Sequence, residues 1–403
     1  MQTSNILGFT NNQLDKIGGI HTAREITGQP KLWLKIWDKM RNEQTQIADF
    51  ITPLVKKDNL IVIFTGAGTS AFIGEAVQGI FQKNTGLFCK TISTTDITTN
   101  PEDCFPTQNP VLLISFARSG NSPESVKAVE LANELCSDIY HFVITCNPDG
   151  ALAKSSSPEN SYVFILPPEA NDLSLAMTGS FSSMLLSAIL LSRLDNINLM
   201  QPAIELLANY GKYIIQNYAF LQKAASLPFK RAVFLGSGSM QGIARESHLK
   251  LQELSDGKVI CKFDSFLGFR HGPKAVVDNE TLLVYLFSTT PYVQKYEIDL
   301  FKAVEKGEKG MYRIAVMERP LKRVHVDLPI VLSDGEALYP DLLPVCYILP
   351  AQLLGFFKSI DLGLKPDNPS VSGTITRVVQ GVKLYPYKRD LDFRVVKTIE
   401  GLK

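Results

Sequence analysis

The chain has 403 residues, of which 45% are apolar and 20% charged, and its formal net charge at pH 7 is +1. This length predicts two domains, and the balanced charge gives no support for binding nucleic acid or an anionic membrane surface. The six cysteines lack C-x-x-C spacing, and the N-terminus lacks a secretory pattern. We therefore expect a cytoplasmic protein with reduced thiols and neither a nucleic-acid nor a membrane partner.

The first half of the chain alternates between helical and strand patterns. Residues 1–50 are charged and mixed, and a helical pattern containing Trp33 and Trp37 begins after Pro30. Short continuous apolar runs follow at residues 60–64, 111–114, 142–145 and 162–166. Such runs fit strands that are buried on both faces. Because helical patterns separate the runs, they predict a parallel sheet with helices on both of its faces.

The second half repeats the first. Gly66 and Gly68 recur 170 residues later as Gly236 and Gly238. Apolar runs again follow, at residues 232–235, 282–287, 314–317 and 324–328. We expect each half to form a doubly wound, three-layer α/β domain. The predicted boundaries are 1–50 for a helical segment, 51–204 and 215–365 for the two domains, and 366–403 for an extended tail.

A polar turn follows the apolar run at residues 111–114 and leads into a helical pattern. Open α/β sheets bind ligands at the carboxyl ends of their strands, where backbone N–H groups at a helix start attract anions. The turn is therefore a candidate phosphate site, and the second copy lacks it. The alternative is a serine helix cap after a polar loop. The candidate ligands are Arg118, Ser119, Gly120, Asn121 and Ser122.

The Gly66-x-Gly68 pair is a weak match to a dinucleotide fingerprint. The position of the third glycine is Ala71, and no acidic residue lies about 20 positions further on. We interpret both glycines as allowing a tight turn from strand to helix. Thr69 and Ser70 would then project their hydroxyls into the same crevice.

The second half carries candidate acid–base groups instead. A helix is predicted from Met240 to Ser255, and the spacing of Glu246, Lys250 and Glu253 places these side chains on one face. A solvated charged stripe is the alternative. His271 follows in a Gly-Pro turn, and a carboxylate with an imidazole is the pair that proton transfer requires.

These motifs together resemble the sugar isomerase (SIS) domain family. The matching segments are residues 66–70, 119–122, 250–255 and 271–273. The closer resemblance is to the galactosamine-6-phosphate deaminase/isomerase branch, also described as tagatose-6-phosphate ketose/aldose isomerases. Segments typical of that branch are residues 22–26, 29–30, 118–125, 368–373 and 377–381. The resemblance covers nearly the whole chain, extends to the isomerase half of glucosamine-6-phosphate synthase, and implies two tandem SIS domains.

The resemblance also implies roles for individual residues. It places the sugar phosphate on Thr69, Ser70, Ser119 and Ser122. Glu253 matches the carboxylate that moves a proton between C1 and C2, and Lys250 lines the same pocket. His271 matches the ring-opening histidine, which reaches in from a neighbouring subunit, so the family implies a homodimer or a higher homo-oligomer. The synthase's Schiff-base lysine has no match, because that position is about Gly381.

The predicted substrate is a small-molecule sugar phosphate. The predicted reaction converts a 2-amino-2-deoxy hexose 6-phosphate, with galactosamine 6-phosphate favoured, to tagatose 6-phosphate and ammonia. One carboxylate can act first as base and then as acid, so we expect neither a metal nor another cofactor. Two alternatives stay open: isomerisation of a neutral sugar phosphate without ammonia release, and a non-catalytic sugar-phosphate sensor.

Overall fold

The structure is a computed structural model, which describes residues 5–388 except Thr107, Asp334 and Gln380. Within these residues the predicted α/β class is confirmed: two parallel five-stranded sheets are flanked by helices. The N-terminal segment forms helices α1 (Asn11–Ile17), α2 (Ile20–Asn42) and α3 (Gln44–Val55).

Strands and helices then alternate up to the first long apolar helix. The elements are β1 (Ile61–Thr65), α4 (Thr69–Thr85), β2 (Phe88–Thr91), α5 (Thr94–Thr99), α6 (Pro101–Cys104), β3 (Val111–Ala117), α7 (Pro123–Leu135), β4 (Ile139–Thr145), α8 (Ala151–Lys154), β5 (Ser161–Ile165) and α9 (Gly179–Leu191). Helices α10 (Gln201–Gln216) and α11 (Tyr218–Ala225) connect the two halves.

The second half follows the same order of elements. They are β6 (Arg231–Gly236), α12 (Ser239–Leu254), β7 (Ile260–Asp264), β8 (Thr281–Leu286), α13 (Pro291–Glu305), β9 (Tyr312–Met317), β10 (Leu328–Val331), α14 (Leu343–Tyr347) and α15 (Leu349–Asp361). By length and composition alone the segment Pro340–Asp361 could cross a membrane, but 94% of its most apolar window is buried inside the protein.

The two sheets have equivalent strand orders, β2-β1-β3-β4-β5 and β7-β6-β8-β9-β10. In each sheet the chain leaves the first strand toward one edge and then returns to build the other side. The crevice between β1 and β3, and its counterpart between β6 and β8, are therefore topological switch points, where such sheets bind ligands. The register confirms the pairing, with Thr65 opposite Ser115 and Gly236 opposite Leu286.

One large apolar core lies between the sheets and continues into both halves. Alternate strand residues face it, such as Phe64 and Ile114 in the first sheet and Phe234 and Val284 in the second. The residues between them face separate outer cores. Because both faces of each central strand are covered, the sequence reads there as a continuous apolar run.

Helices α4 and α12 pack closely where the two halves meet. A Cβ atom added at Gly242 would lie 2.5 Å from the backbone nitrogen of Ala76, closer than real side chains approach backbone. Only glycine fits this position, so the two helices approach each other backbone to backbone. This contact brings the start of α4 near the middle of α12.

Two element positions differ from prediction. Helix α2 begins at Ile20 and contains Pro30, whereas the sequence pattern placed its start after that proline. Pro30 cannot bond to the carbonyl of Ile26 within the helix, and the side chain of Gln29 donates to that carbonyl instead. The last strand is Leu328–Val331 and not 324–328.

The described part of the tail, residues 366–388 except Gln380, contains neither helix nor strand. It is fastened to the body at Asp367, whose carboxylate accepts hydrogen bonds from the backbone of His21 and Thr22 at the start of α2. The backbone N–H of Asp367 also donates to the carbonyl oxygen of Gly18. The predicted tail beyond residue 388 lies outside the described residues.

Candidate active site

A cavity of about 450 Å³ lies where the first switch point, helix α12 and the tail meet. Its volume is in the range of small-molecule sites. It is lined by Ala67, Thr69, Arg118, Leu175, Met177, Lys250, Glu253, residues 373–377 and Val379. Four predicted site residues, namely Thr69, Arg118, Lys250 and Glu253, therefore lie on one cavity.

Helix α12 brings a carboxylate–ammonium–carboxylate cluster to this cavity. The Lys250 ammonium lies 2.6 Å from Glu253 Oε2 and 3.4 Å from Glu246 Oε1. The side chains of Lys250 and Glu246 are almost completely buried, whereas that of Glu253 is 23% exposed. Glu253 is thus the member of the cluster that a molecule in the cavity can reach.

Burial and neighbouring charges together shift the pKa values of Glu246 and Lys250. Burial raises the pKa of Glu246 to about 8, although the Lys250 charge opposes the increase. Burial alone would lower the pKa of Lys250, but the neighbouring carboxylates outweigh it and the pKa is raised. Lys250 is therefore charged at neutral pH, and its strong bond goes to Glu253.

Glu246 also connects the cluster to the first half of the chain. The Thr69 hydroxyl, at the start of α4, donates to Glu246 Oε1 at 3.3 Å. The other oxygen, Oε2, is buried and has no hydrogen-bond partner among the described residues. The sequence pattern placed Glu246 on the same face as Lys250 but did not identify it as a site residue.

The polar turn after β3 lies beside the cavity. Gly120 has a φ of +64°, which lets the backbone reverse, and a Cβ atom at Gly150 would lie 2.6 Å from the carbonyl oxygen of Ser119. The Asn121 carboxamide oxygen accepts from the amide of Ala151 at 2.9 Å. The turn is therefore held by the loop after β4.

The remaining predicted phosphate ligands are close in sequence but are not part of the cavity lining. Ser70 is buried in the first turn of α4, and the Ser122 hydroxyl lies 2.5 Å from that of Ser125. Among the described residues, no hydrogen bond uses the backbone amides of Ser119, Gly120 or Ser122. In this part of the described chain the three amides are therefore free to donate to an anion, although Gly120 itself is buried.

Arg118 is directed at the cavity wall more than at the turn. Its guanidinium donates to the carbonyls of Ser174 and Leu175 at 3.3 and 3.2 Å, and also to the carbonyl of Arg377 in the tail. Burial lowers its pKa, and the Asp172 charge acts against that effect. Arg118 therefore joins the strand end, the wall of the cavity and the tail.

The tail covers the cavity through a contact that the sequence did not reveal. Arg377 donates to the carbonyl of Asp172 and to Asn171 Oδ1. The Asp172 carboxylate is fully buried and accepts from the amides of Thr178 and Ser180 at the start of α9. Arg377 thus rests on a wall that is itself rigidly held.

His271 is exposed and does not line the cavity. It ends a short 3₁₀ turn, Gly268–Arg270, between β7 and β8. The structure therefore does not bring His271 to Glu253 within one chain. Among the described residues, no three His, Cys, Asp or Glu side chains are placed to hold a metal ion.

The comparisons with known proteins agree with this fold. The SIS domain signature matches residues 54–192. The D-galactosamine-6-phosphate deaminase AgaS of Escherichia coli O157:H7 is 39% identical, over 92% of this chain and 97% of its own. The deaminase of the same name from Shewanella sp. (strain ANA-3) is also 39% identical, over 96% and 97%.

A solved structure extends the similarity to three dimensions. The protein from Clostridium novyi NT, provisionally named a tagatose-6-phosphate ketose/aldose isomerase, has a TM-score of 0.92 and 39% identity, over 96% of this chain and 100% of its own. The chain belongs to the SIS-domain family. Within that family, its branch is the one that contains the D-galactosamine-6-phosphate deaminases.

Proposed function

We propose that this protein is a sugar-phosphate isomerase that deaminates galactosamine 6-phosphate to tagatose 6-phosphate and ammonia. One observation carries the proposal: a single cavity joins the first switch point, through Thr69 and Arg118, to the Lys250–Glu253 pair of the second half. The activity named for the relatives gives the substrate class.

The phosphate binds at the turn after β3. Its oxygens accept from the open amides of Ser119, Gly120 and Ser122 and from the hydroxyls of Ser119 and Ser122, with Thr69 and Ser70 on the opposite strand end. Asn121 holds the turn in shape through its bond to Ala151. Arg118 contributes positive charge from the adjoining wall.

Glu253 carries the proton. Once the ring is open, the C1 aldehyde acidifies the C2–H bond, and Glu253 takes that proton. It returns the proton to C1 of the resulting enolamine, which leaves an imine at C2. Water adds to that imine and ammonia leaves, so the product is the ketose 6-phosphate. The Lys250 ammonium, 2.6 Å from Glu253 Oε2, places a positive charge beside the carboxylate that acts as the base.

His271 opens the ring from a neighbouring copy of the chain. Its exposed position between β7 and β8 suits a side chain that completes another subunit's cavity. The proposal includes a homodimer or larger homo-oligomer, two tandem SIS domains at 51–204 and 215–365, and a cytoplasmic location. All six thiols are free, which suits a reducing compartment.

The decisive experiment is to incubate the purified protein separately with galactosamine 6-phosphate, glucosamine 6-phosphate and a neutral aldose 6-phosphate, and to measure ammonia and ketose in each case. Equal amounts of both products from galactosamine 6-phosphate are expected. Ketose without ammonia from a neutral aldose phosphate would instead favour simple isomerisation, and binding without turnover would favour a sensor.

A mixing experiment tests the role of His271. The variants His271→Ala and Glu253→Gln are each expected to be inactive. If the histidine acts on the neighbouring cavity, subunits of the two variants reassembled together regain activity, because some cavities then receive both intact residues. Failure of the mixture to regain activity would place His271 outside the neighbouring site.

A further inference from the structure

The second switch point, between β6 and β8, contains a buried carboxylate that the proposed mechanism does not use. This carboxylate belongs to Glu297, which lies two turns into α13 and is fully buried. Its Oε2 atom accepts a hydrogen bond from the backbone amide of Ser288 at 2.9 Å. Ser288 follows β8 as the polar turn follows β3 in the first sheet.

A second hydrogen-bonding group lies near the Glu297 carboxylate. Ser237, directly after β6, faces the carboxylate from the other side of the crevice. The second carboxylate oxygen, Oε1, is buried without a hydrogen-bond partner among the described residues. Burial raises the pKa of Glu297 to about 7, while the Ser288 amide and the Ser237 hydroxyl act in the opposite direction by favouring the ionised form.

The loop around Ser288 is shaped to hold its amide toward Glu297. Gln294 donates from its side chain to the carbonyl oxygen of Ser288 at 2.7 Å. The amide of Thr290 donates to the Ser288 hydroxyl at 3.1 Å. In the first sheet the amide of Asn121 likewise donates to the Ser119 hydroxyl at 3.3 Å, but among the described residues no carboxylate accepts from the amides of that turn.

We infer that the second half retains an oxyanion site and that the Glu297 carboxylate fills it permanently. The side chain takes the place that a phosphate group would occupy at the second switch point. The chain consequently presents one open anion site although it contains two equivalent crevices. This inference goes beyond the proposed reaction, in which Glu297 takes no part.

The test is to remove the carboxylate and count bound inorganic phosphate. Glu297→Ala vacates four heavy atoms beside the Ser288 amide, which is close to the five of a phosphate ion. Equilibrium dialysis at pH 7.5 is expected to find one more phosphate per chain in this variant than in the wild type. No gain would overturn the inference.

Glu297→Gln is the matched control. Its carbonyl oxygen can still accept from the Ser288 amide, so the site stays filled and no additional phosphate is expected. A gain in this variant equal to that of Glu297→Ala would contradict occupation by the side chain. Because the count is a difference from the wild type, it does not depend on whether the first half binds phosphate or the enzyme releases ammonia.

A measurement on the wild type keeps the inference testable if Glu297→Ala does not fold. Crystals of the unaltered protein soaked in inorganic phosphate should show no phosphate at the Ser288 amide. Phosphate bound there beside an unmoved Glu297, or bound after displacing it, would overturn the inference.

Discussion

Replacing Glu253 by Gln isolates the proposed proton carrier with little change in shape. Glu253 is the exposed member of the buried cluster on α12, and its Oε2 lies 2.6 Å from the Lys250 ammonium. A glutamine oxygen can still accept that hydrogen bond. The negative charge of Glu253 contributes to the raised pKa of Glu246. In the variant the pKa of Glu246 should therefore fall, and Glu246 can become the charged partner of Lys250.

The expected effects on activity and on stability differ greatly. A positioned base contributes a factor of about 10²–10⁴ to the rate, or roughly 3–5 kcal/mol of transition-state stabilisation. Exchanging a charge-assisted hydrogen bond for an ordinary one costs about 1 kcal/mol of unfolding free energy. We therefore expect turnover to be nearly lost in a protein that stays folded.

The assay measures ammonia release from galactosamine 6-phosphate, and urea unfolding measures stability. Inorganic phosphate should protect the variant against unfolding as well as it protects the wild type, because the turn after β3 is untouched. Glu205→Gln makes the same chemical change on the exposed surface of α10 and serves as control. A Glu253→Gln enzyme with more than about a tenth of wild-type turnover would refute proton transfer by Glu253.

Three further predictions concern the scaffold. Gly242→Ala should lower the unfolding free energy by about 1–3 kcal/mol, because its Cβ would meet the backbone of Ala76. Gly79→Ala on α4, where the added Cβ meets open space, should instead raise the unfolding free energy by up to about 1 kcal/mol. Thermal denaturation of both variants would contradict this prediction if the two melting temperatures shifted in the same direction. Arg377→Ala should raise KM and speed proteolysis of the tail with little change in kcat, and unchanged proteolysis would argue against the contact with Asp172. Burial, reinforced by the nearby Asp172 carboxylate, raises the pKa of Glu25 from 4.5 to about 7. Protonated Glu25 therefore adds at most about 3 kcal/mol to the unfolding free energy, in full below pH 4.5. This contribution is lost as the pH rises through 7. Urea unfolding at pH 5 and pH 8 should show a smaller difference for Glu25→Gln than for the wild type.

The central strands could be predicted from the sequence because they are buried on both faces and read as apolar runs. Of the edge strands, β5 was predicted by the run at residues 162–166 and β10 was misplaced, whereas β2 and β7 were not predicted. In β2 only Cys89 is buried while Phe88 is 60% exposed, and in β7 Ile260 is 63% exposed. Strand β10 contains Pro329, which an edge strand tolerates but which weakens the pattern. Short, half-exposed edges carry little periodic signal.

The candidate site was likewise only partly predictable from the sequence. Local spacing was enough to place Lys250 and Glu253 on one face of a helix, since both lie on α12. The contact between Arg377 and Asp172 joins positions about 200 residues apart, and only the folded chain reveals it. Glu246 was visible as part of the helix face, but its burial, which distinguishes it from a solvated charge, depends on the packing of α12 against α4.

The repeated scaffold forms one candidate active site among the described residues because the two halves contribute different chemistry to it. The first half supplies a strand end with open amides and the Thr69 hydroxyl, and the second supplies a helix that carries the carboxylates and ammonium. The close approach at Gly242 brings these parts together. If Glu297 fills the anion site of the second half, then the sugar phosphate has only one position in which its phosphate is held, and C2 is directed to the one carboxylate that the cavity exposes.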